Sequence, residues 1–272
     1  KARDSLGWNS MQGTRFLVQV SAAVADEIDE PWTAEEFEAG LELSRPERLV
    51  ESLSESGRFI HGQFRQAAYH EVALEIFNSD DPDRSESVLA GIKRLLTNWI
   101  INGKADAFDS TDFQQAERLD VLVMARRHLA SDVPDQPDNA HKAWCLGMHQ
   151  LFQLYRDQNL WEQARDVADM WIRSSPTGWP PEWVDPLDQV AVCSFLQSFL
   201  QSVSNFVLID TFVEKLAERC QEEAISNRSV ETLRRAAAVL SYSGVIQRLR
   251  ERPMQALEIE QRSTQMRECI IE

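Results

Sequence analysis

Apolar residues recur every three to four positions along most of the chain, and alternating β-branched runs are almost absent, a periodicity that predicts helices. Trp8 to Ile28 reads as a first helix with Phe16, Val20, Ala23 and Val24 along one side. PWTAEEFEAGLEL opens a second, where Thr33 is the cap and Glu36, three residues on, completes a capping box. SRPERLVESLSES opens a third, with Ser44 as cap, Pro46 in the first turn, Glu47 closing the box and Gly57 ending it. RFI, residues 58–60, is a candidate short strand, and GQFRQAAYHEVALEIF, residues 62–77, is another helix. The polar run NSDDPDRSES, residues 78–87, is a soft domain boundary; helices are predicted over 87–102 and 111–131. After a second polar break, SDVPDQPDN, the chain reads from Ala140 as helical hairpins, interrupted by SSPTGWPPEWVDP. The predicted division is a small helical unit over 1–80, connecting helices over 81–139 and hairpins over 140–272.

Charge narrows the partner. The 272 residues carry 44 acidic and 28 basic side chains, a formal net charge of −16, which repels phosphate and anionic lipid. No apolar stretch approaches the roughly 20 residues that span a bilayer. The expected partner is therefore a protein or peptide, with neither nucleic acid nor membrane. Cys145, Cys193, Cys220 and Cys269 are scattered, with no CxxC pair, which fits a reduced, cytoplasmic protein. The start lacks a signal peptide's apolar run, and both ends look abrupt, as in a fragment of a longer protein.

The segment LFQLYRDQNLWEQARDVADMWIRSSP, Leu151 to Pro176, carries the strongest motif. Leu151 and Tyr155 lie four apart on one helical face. Asn159 stands at the turn, Trp161 is an aromatic, Ala164 and Ala168 let a second helix approach closely, and Pro176 ends the unit. A second segment, VLSYSGVIQRLRERPMQALEIEQRS, repeats the scheme with Gly244, the turn RERP and Ala256. Both resemble the tetratricopeptide repeat family. Leu187 to Ser226 matches in length and shape but poorly in motif; Phe152 and Trp171 replace small residues, and Glu260 stands where an apolar residue is usual. The fold class expected is all-α: an array of antiparallel helical hairpins, a TPR-like right-handed solenoid or another hairpin stack, with a small winged-helix-like N-terminal unit. The resemblance implies a concave face lined by the first helix of each hairpin. That puts Leu146, His149, Gln153, Arg156 and Asp157 there from one hairpin, and Ala238, Ser241, Val245, Arg248 and Leu249 from the other. Of these, His149, Gln153, Arg156, Ser241, Val245 and Arg248 are the candidate partner-binding residues. The Lys/Asn carboxylate clamp of chaperone-binding members has no match, so an EEVD-type ligand is not expected.

GRFIHGQFRQAAYHEVAL resembles the closing segment of the winged-helix part of STAND-type signalling NTPases, with His61, Phe64, Arg65 and Tyr69 at the matching places. In that family a nucleotide domain precedes this segment and repeats follow it. The resemblance implies a sensor or regulatory region whose partners include other domains of the same full-length chain. The present chain contains no GxxxxGK[ST] loop, so nucleotide affinity is not expected.

No catalytic residue, cofactor or metal is assigned. His141, Cys145 and His149 lie four apart on one helical face and could ligate zinc, but a fourth ligand is not evident, and buried packing is the preferred reading. Neither HExxH nor GxSxG occurs. Arg234, Arg235, Arg248, Arg250 and Arg252 form a basic cluster that meets either a partner anion or neighbouring Glu231, Glu251 and Glu258. Trp179 and Trp183, among prolines, either anchor a partner or plug the joint between hairpins.

Overall fold

The computed structural model describes residues 1–54, 60–102, 115–129, 139–174, 180–198 and 203–271. These are mostly helical, with little strand, and among them no helix is long and apolar enough to cross a membrane. The chain divides into two compact units, one of Lys1–Asp132 with Asp138–Gly147, the other containing Met148–Glu272.

In the first unit the expected helix over Trp8–Ile28 is broken by a strand. Helix α1 spans Ala2–Ser10, strand β1 Arg15–Leu17 and helix α2 Val18–Glu27. Gly13 turns the chain at φ +133, a conformation in which other residues are strained. Gln12 then holds the strand. Its side chain accepts from the Leu17 N–H at 2.8 Å and donates to the Leu17 carbonyl at 3.0 Å, standing in for a ladder partner. Ser21 and Asn9 complete this buried polar network.

Helix α3, Ala34–Glu42, has the capping box of Thr33 and Glu36 that its sequence announces. The helix expected from Ser44 is absent. Ser44 donates its hydroxyl to Leu41 and closes α3, Arg48 takes a left-handed φ of +55, and residues 50–52 form strand β2, Val50–Ser52. Gly57, Arg58 and Phe59 lie outside the described residues. The strand predicted at 58–60 falls mostly on those residues; strand β3 is His61–Phe64, which includes residues 62–64 of the stretch expected to be helical, and helix α4 begins only at Ala67, running to Asp80. β3 lies between the other two strands in the order β1-β3-β2, antiparallel to both. Gly62 permits this pairing, because a Cβ there would stand 2.6 Å from the Phe16 ring across the sheet.

The polar run at 78–87 is a one-residue corner. Asp81 accepts from the Arg84 N–H and Pro82 opens helix α5, Pro82–Ile101. Trp8 is the hub of the packing: its ring meets Phe37 of α3 at 5.4 Å and Phe77 of α4 at 6.4 Å, and Arg84 lies over it. Helix α6, Gln115–Leu129, buries Val121, Leu122, Met124 and Ala125. It is tied to the sheet by Asp120, whose carboxylate accepts from His61 Nε2 at 2.7 Å and lies 3.5 Å from Arg15.

Helix α7, Asn139–Asp157, begins in the first unit and ends in the second. The second unit continues with α8 (Trp161–Ser174), α9 (Pro186–Gln197), α10 (Val203–Ser226), α11 (Val230–Leu249) and α12 (Pro253–Ile271). α11 and α12 run antiparallel, since Arg248 meets Glu260 while Ser241 meets Ser263 and Arg267. α10 and α11 share a core of Leu216, Ala217, Cys220 and Ala224 against Leu233, Ala236, Val239 and Leu240. α7, α9 and α11 run in the same sense. His149 lies near Asp188 and Phe152 on Phe195, while Asp185 pairs with Arg235 and Gln197 with Tyr242.

Two of the hairpin turns are built alike. After α7, Asn159 sits at φ +58, its N–H donates to Arg156, and the Leu160 N–H reaches back to Tyr155. After α11, Glu251 sits at φ +58, its N–H donates to Arg248, and the Arg252 N–H reaches back to Gln247. Both are Schellman caps. Five residues past each left-handed residue comes a buried alanine, Ala164 in one case and Ala256 in the other.

Candidate functional site

The predicted interaction positions can be followed one by one on the first helices of these hairpins. On the part of α7 in the second unit, Leu151 and Phe152 turn inward, while His149 and Gln153 are half-buried and Arg156 and Asp157 exposed. On α11, Leu240, Ser243, Ile246 and Gln247 are buried, and Ala238, Ser241, Val245, Arg248 and Leu249 form the accessible stripe. α9 contributes Leu187, Ala191 and Ser194 as its exposed line.

Accessibility is not the same as freedom. Gln153 donates to His149 Nε2 at 3.3 Å, and Asp188 lies 3.8 Å from the same nitrogen. Burial lowers the His149 pKa, opposed by Asp188 and aided by Arg156, so the ring is neutral near pH 7. Arg156 lies over the Phe152 ring at 5.8 Å and beside Asp157 at 3.8 Å. Arg248 pairs with Glu260 at 2.6 Å, and Ser241 is bound by Ser263 and Arg267. Val245 is the half-buried apolar member of the stripe. The two candidate cations thus each have an acid beside them, which partly neutralises their charge.

The departures from the repeat motif have packing reasons. Glu260, at an apolar position, lays its Cγ against Gly244 and spends its carboxylate on Arg248. Phe152, at a small position, reaches Phe195 of α9 edge-on at 5.2 Å. Trp161 stacks on the same Phe195 at 6.1 Å.

The basic cluster is mostly absorbed by carboxylates other than the expected ones. Of Glu231, Glu251 and Glu258, only Glu231 pairs with one of these arginines, meeting Arg235 at 3.2 Å. Asp185 takes Arg235 at 2.6 Å, and buried Asp210 takes Arg250, with Arg252 at 3.9 Å and Gln247 donating to its other oxygen. Asp210 belongs to α10, so this carboxylate fastens the α11–α12 turn to the preceding hairpin. No local signal marks it in the sequence. Asp120, fastened to His61 and Arg15, was missed for the same reason.

His141 and Cys145 touch at 3.5 Å, while His149 turns to Gln153 and Asp188 instead. No group of three or more His, Cys, Asp or Glu converges as metal ligands do among the described residues. Cys145, Cys193 and Cys220 are buried free thiols, and burial alone pushes the Cys193 thiol far above its ordinary range. Trp179 lies outside the described residues. In the described part of its loop, Gln189 donates to Pro181 and Val184, and Arg219 to Pro180.

No protein-family model matches the chain, and neither a curated protein nor a solved structure matches it.

Proposed function

We propose that the chain is a non-catalytic interaction scaffold in which α7, α9 and α11 line the concave face of a TPR-like hairpin array and hold a protein or peptide. The observation that carries this reading is the recurrence of one hairpin design, in which a left-handed residue in a Schellman cap is followed five residues on by a buried alanine. Stacked hairpins bury faces that a single hairpin leaves open, and leave the first helices to bind. The coincidence of the accessible stripe of α11 with the concave positions supports it further. His149, Gln153, Arg156, Ser241, Val245 and Arg248 would contact the partner. Arg156 and Arg248 would exchange their present acids for the partner's carboxylates, since exposed pairs contribute only about 0–1 kcal/mol.

The test is a pull-down from native lysate with the parent chain and the double variant Arg156→Ala/Arg248→Ala. Loss of a specific partner with unchanged melting supports the concave face. A partner retained undiminished overturns it.

A second reading has its own observation. The first unit runs helix, strand, helix, helix, strand, strand with strand order β1-β3-β2, the order of a winged helix. His61 and Phe64 lie on β3, Arg65 directly after it and Tyr69 in the first turn of α4, a strand leading into a helix, which is compatible with the resemblance to STAND-type NTPases. Under this reading the chain is the regulatory region of such an NTPase, and its partner is the nucleotide domain of the same polypeptide. A GxxxxGK[ST] loop encoded ahead of Lys1 supports it, and a full-length reading frame without one overturns it.

A further inference from the structure

In the first unit α1 and α4 lie side by side and antiparallel. Arg3 of α1 pairs with Asp80 at the end of α4, while the Ser10 carbonyl accepts from His70 near its start. An apolar groove of about 490 Å³ runs along this pair. α4 lines it with Tyr69, Val72, Ala73 and Ile76, the i, i+3, i+4, i+7 spacing of one helical face, a ridge about 10 Å long. α1 adds Arg3 and Leu6, one turn apart. Phe64, whose ring meets His70 at 5.5 Å, and Leu49 close the groove at the Tyr69 end.

The ridge stands open. Val72 is 53% exposed and Ile76 39%, one turn apart on the same helix. Two antiparallel helices with adjoining apolar ridges form a seat for a third, whose side chains enter the groove between them. The charge around the seat selects among helices. Arg3 is engaged by Asp80, and Arg65 by Glu51. Glu47 and Arg48, beside Leu49, offset each other. Glu71 and Glu75 are left, both exposed on α4 and without an ion-pair partner among the described residues. Glu75 lies one turn from Val72, and Glu71 one turn from Glu75, so a negative edge borders the ridge on its solvent side.

We propose that this groove docks a basic amphipathic helix of a partner protein. The helix packs its apolar stripe, at the same spacing, on Leu6, Val72 and Ile76, and turns lysines or arginines toward Glu71 and Glu75. An acidic helix of equal apolar content meets those two carboxylates unfavourably. The site lies within the first unit and does not depend on the hairpin face of the second.

The test is calorimetric titration of the 272-residue chain at about 0.15 M salt, where loose attraction to an acidic surface is screened. The probes are three peptides of about four helical turns. Two carry a leucine stripe, flanked by lysine in one and by glutamate in the other. The third has the composition of the lysine peptide with its leucines spread around the helix. The striped lysine peptide binds saturably, and each of the other two is weaker by about tenfold or more. Val72→Ser/Ile76→Ser weakens it by about tenfold, and Ala73→Gln, which fills the groove, does the same by another route. Glu71→Gln/Glu75→Gln narrows the preference for lysine over glutamate. The serine and glutamine replacements at 71, 72, 75 and 76 are at exposed positions, so those variants are expected to melt like the parent. Absence of saturable binding at millimolar concentration overturns the proposal. Equal binding of the striped and spread lysine peptides also overturns it, as does an unchanged affinity in a Val72→Ser/Ile76→Ser variant that melts like the parent.

Discussion

The two units are stabilised in different ways. In the first, polar groups from distant parts of the chain are buried together: Gln12 with Leu17 and Ser21, His61 with Asp120, His70 with the Ser10 carbonyl. In the second, most of the burial is apolar, and successive helices pack through rows of alanine, leucine and valine, with Asp210 as the main buried charge. A buried polar network fixes one arrangement and is costly to leave half-made. Apolar contacts between successive helices depend instead on side-chain volume, one contact at a time. The first unit is therefore the more sensitive to protonation, the second to side-chain volume.

Acidification should break the comparison most strongly. The pKa of His128 is lowered from 6.5 to about 4, chiefly by burial, and that of His70 is lowered for the same reason. The unfolded chain binds the proton first, so the stability from a neutral His128 is full above pH 6.5. It is lost as pH falls toward 4, by roughly 3 kcal/mol. Hydrogen exchange across this range should show amides of α1 and α6 opening before those of α10 and α11. Simultaneous opening of both units would remove the contrast. His128→Gln should flatten the first unit's pH dependence.

Volume should act in the opposite place. Ala164 is fully buried and Ala256 nearly so, each at the first turn of the returning helix. Ala164→Leu and Ala256→Leu should each overpack a helix contact and cost about 1–3 kcal/mol, read as a lower denaturant midpoint. Similar costs at both sites would sharpen the case that they are one design used twice. If Ala164→Leu melts like the parent, the register of the first hairpin is wrong.

The smallest expected effect separates the two turns. Asn159 and Glu251 share φ +58, but asparagine tolerates this region and glutamate does not. Glu251→Gly should stabilise by up to about 1 kcal/mol, and Asn159→Gly by less, in thermal melts of the two variants. Equal gains would mean that the side chain of Glu251 makes a compensating contact.

Much of the second unit was legible because its signals are local. The turn at Asn159, the buried Ala164, and the spacing from Gly244 to Ala256 each act within a few residues of one another. The stripe Ala238, Ser241, Val245, Arg248 was readable from helical periodicity. That Ser241 and Arg248 are engaged by Ser263, Arg267 and Glu260 was not, because it depends on how α12 is rotated against α11.

By itself the sequence determined the helical character of the chain, the capping box of Thr33 and Glu36, and the hairpin turns, since these depend on periodicity and on hydrogen bonds between near neighbours. It also placed a short strand close to where β3 lies. Only the tertiary structure decided that Arg15–Leu17 and Val50–Ser52 are strands flanking it, because a three-residue strand has no stable local form and exists only once β3 supplies its hydrogen bonds. It likewise decided which carboxylate each buried cation meets. Asp120 and His61 are 59 residues apart, and Asp210 and Arg250 are 40 apart. A charge that far along the chain has no preferred partner until packing brings one within a few ångströms and removes the water that would otherwise screen it.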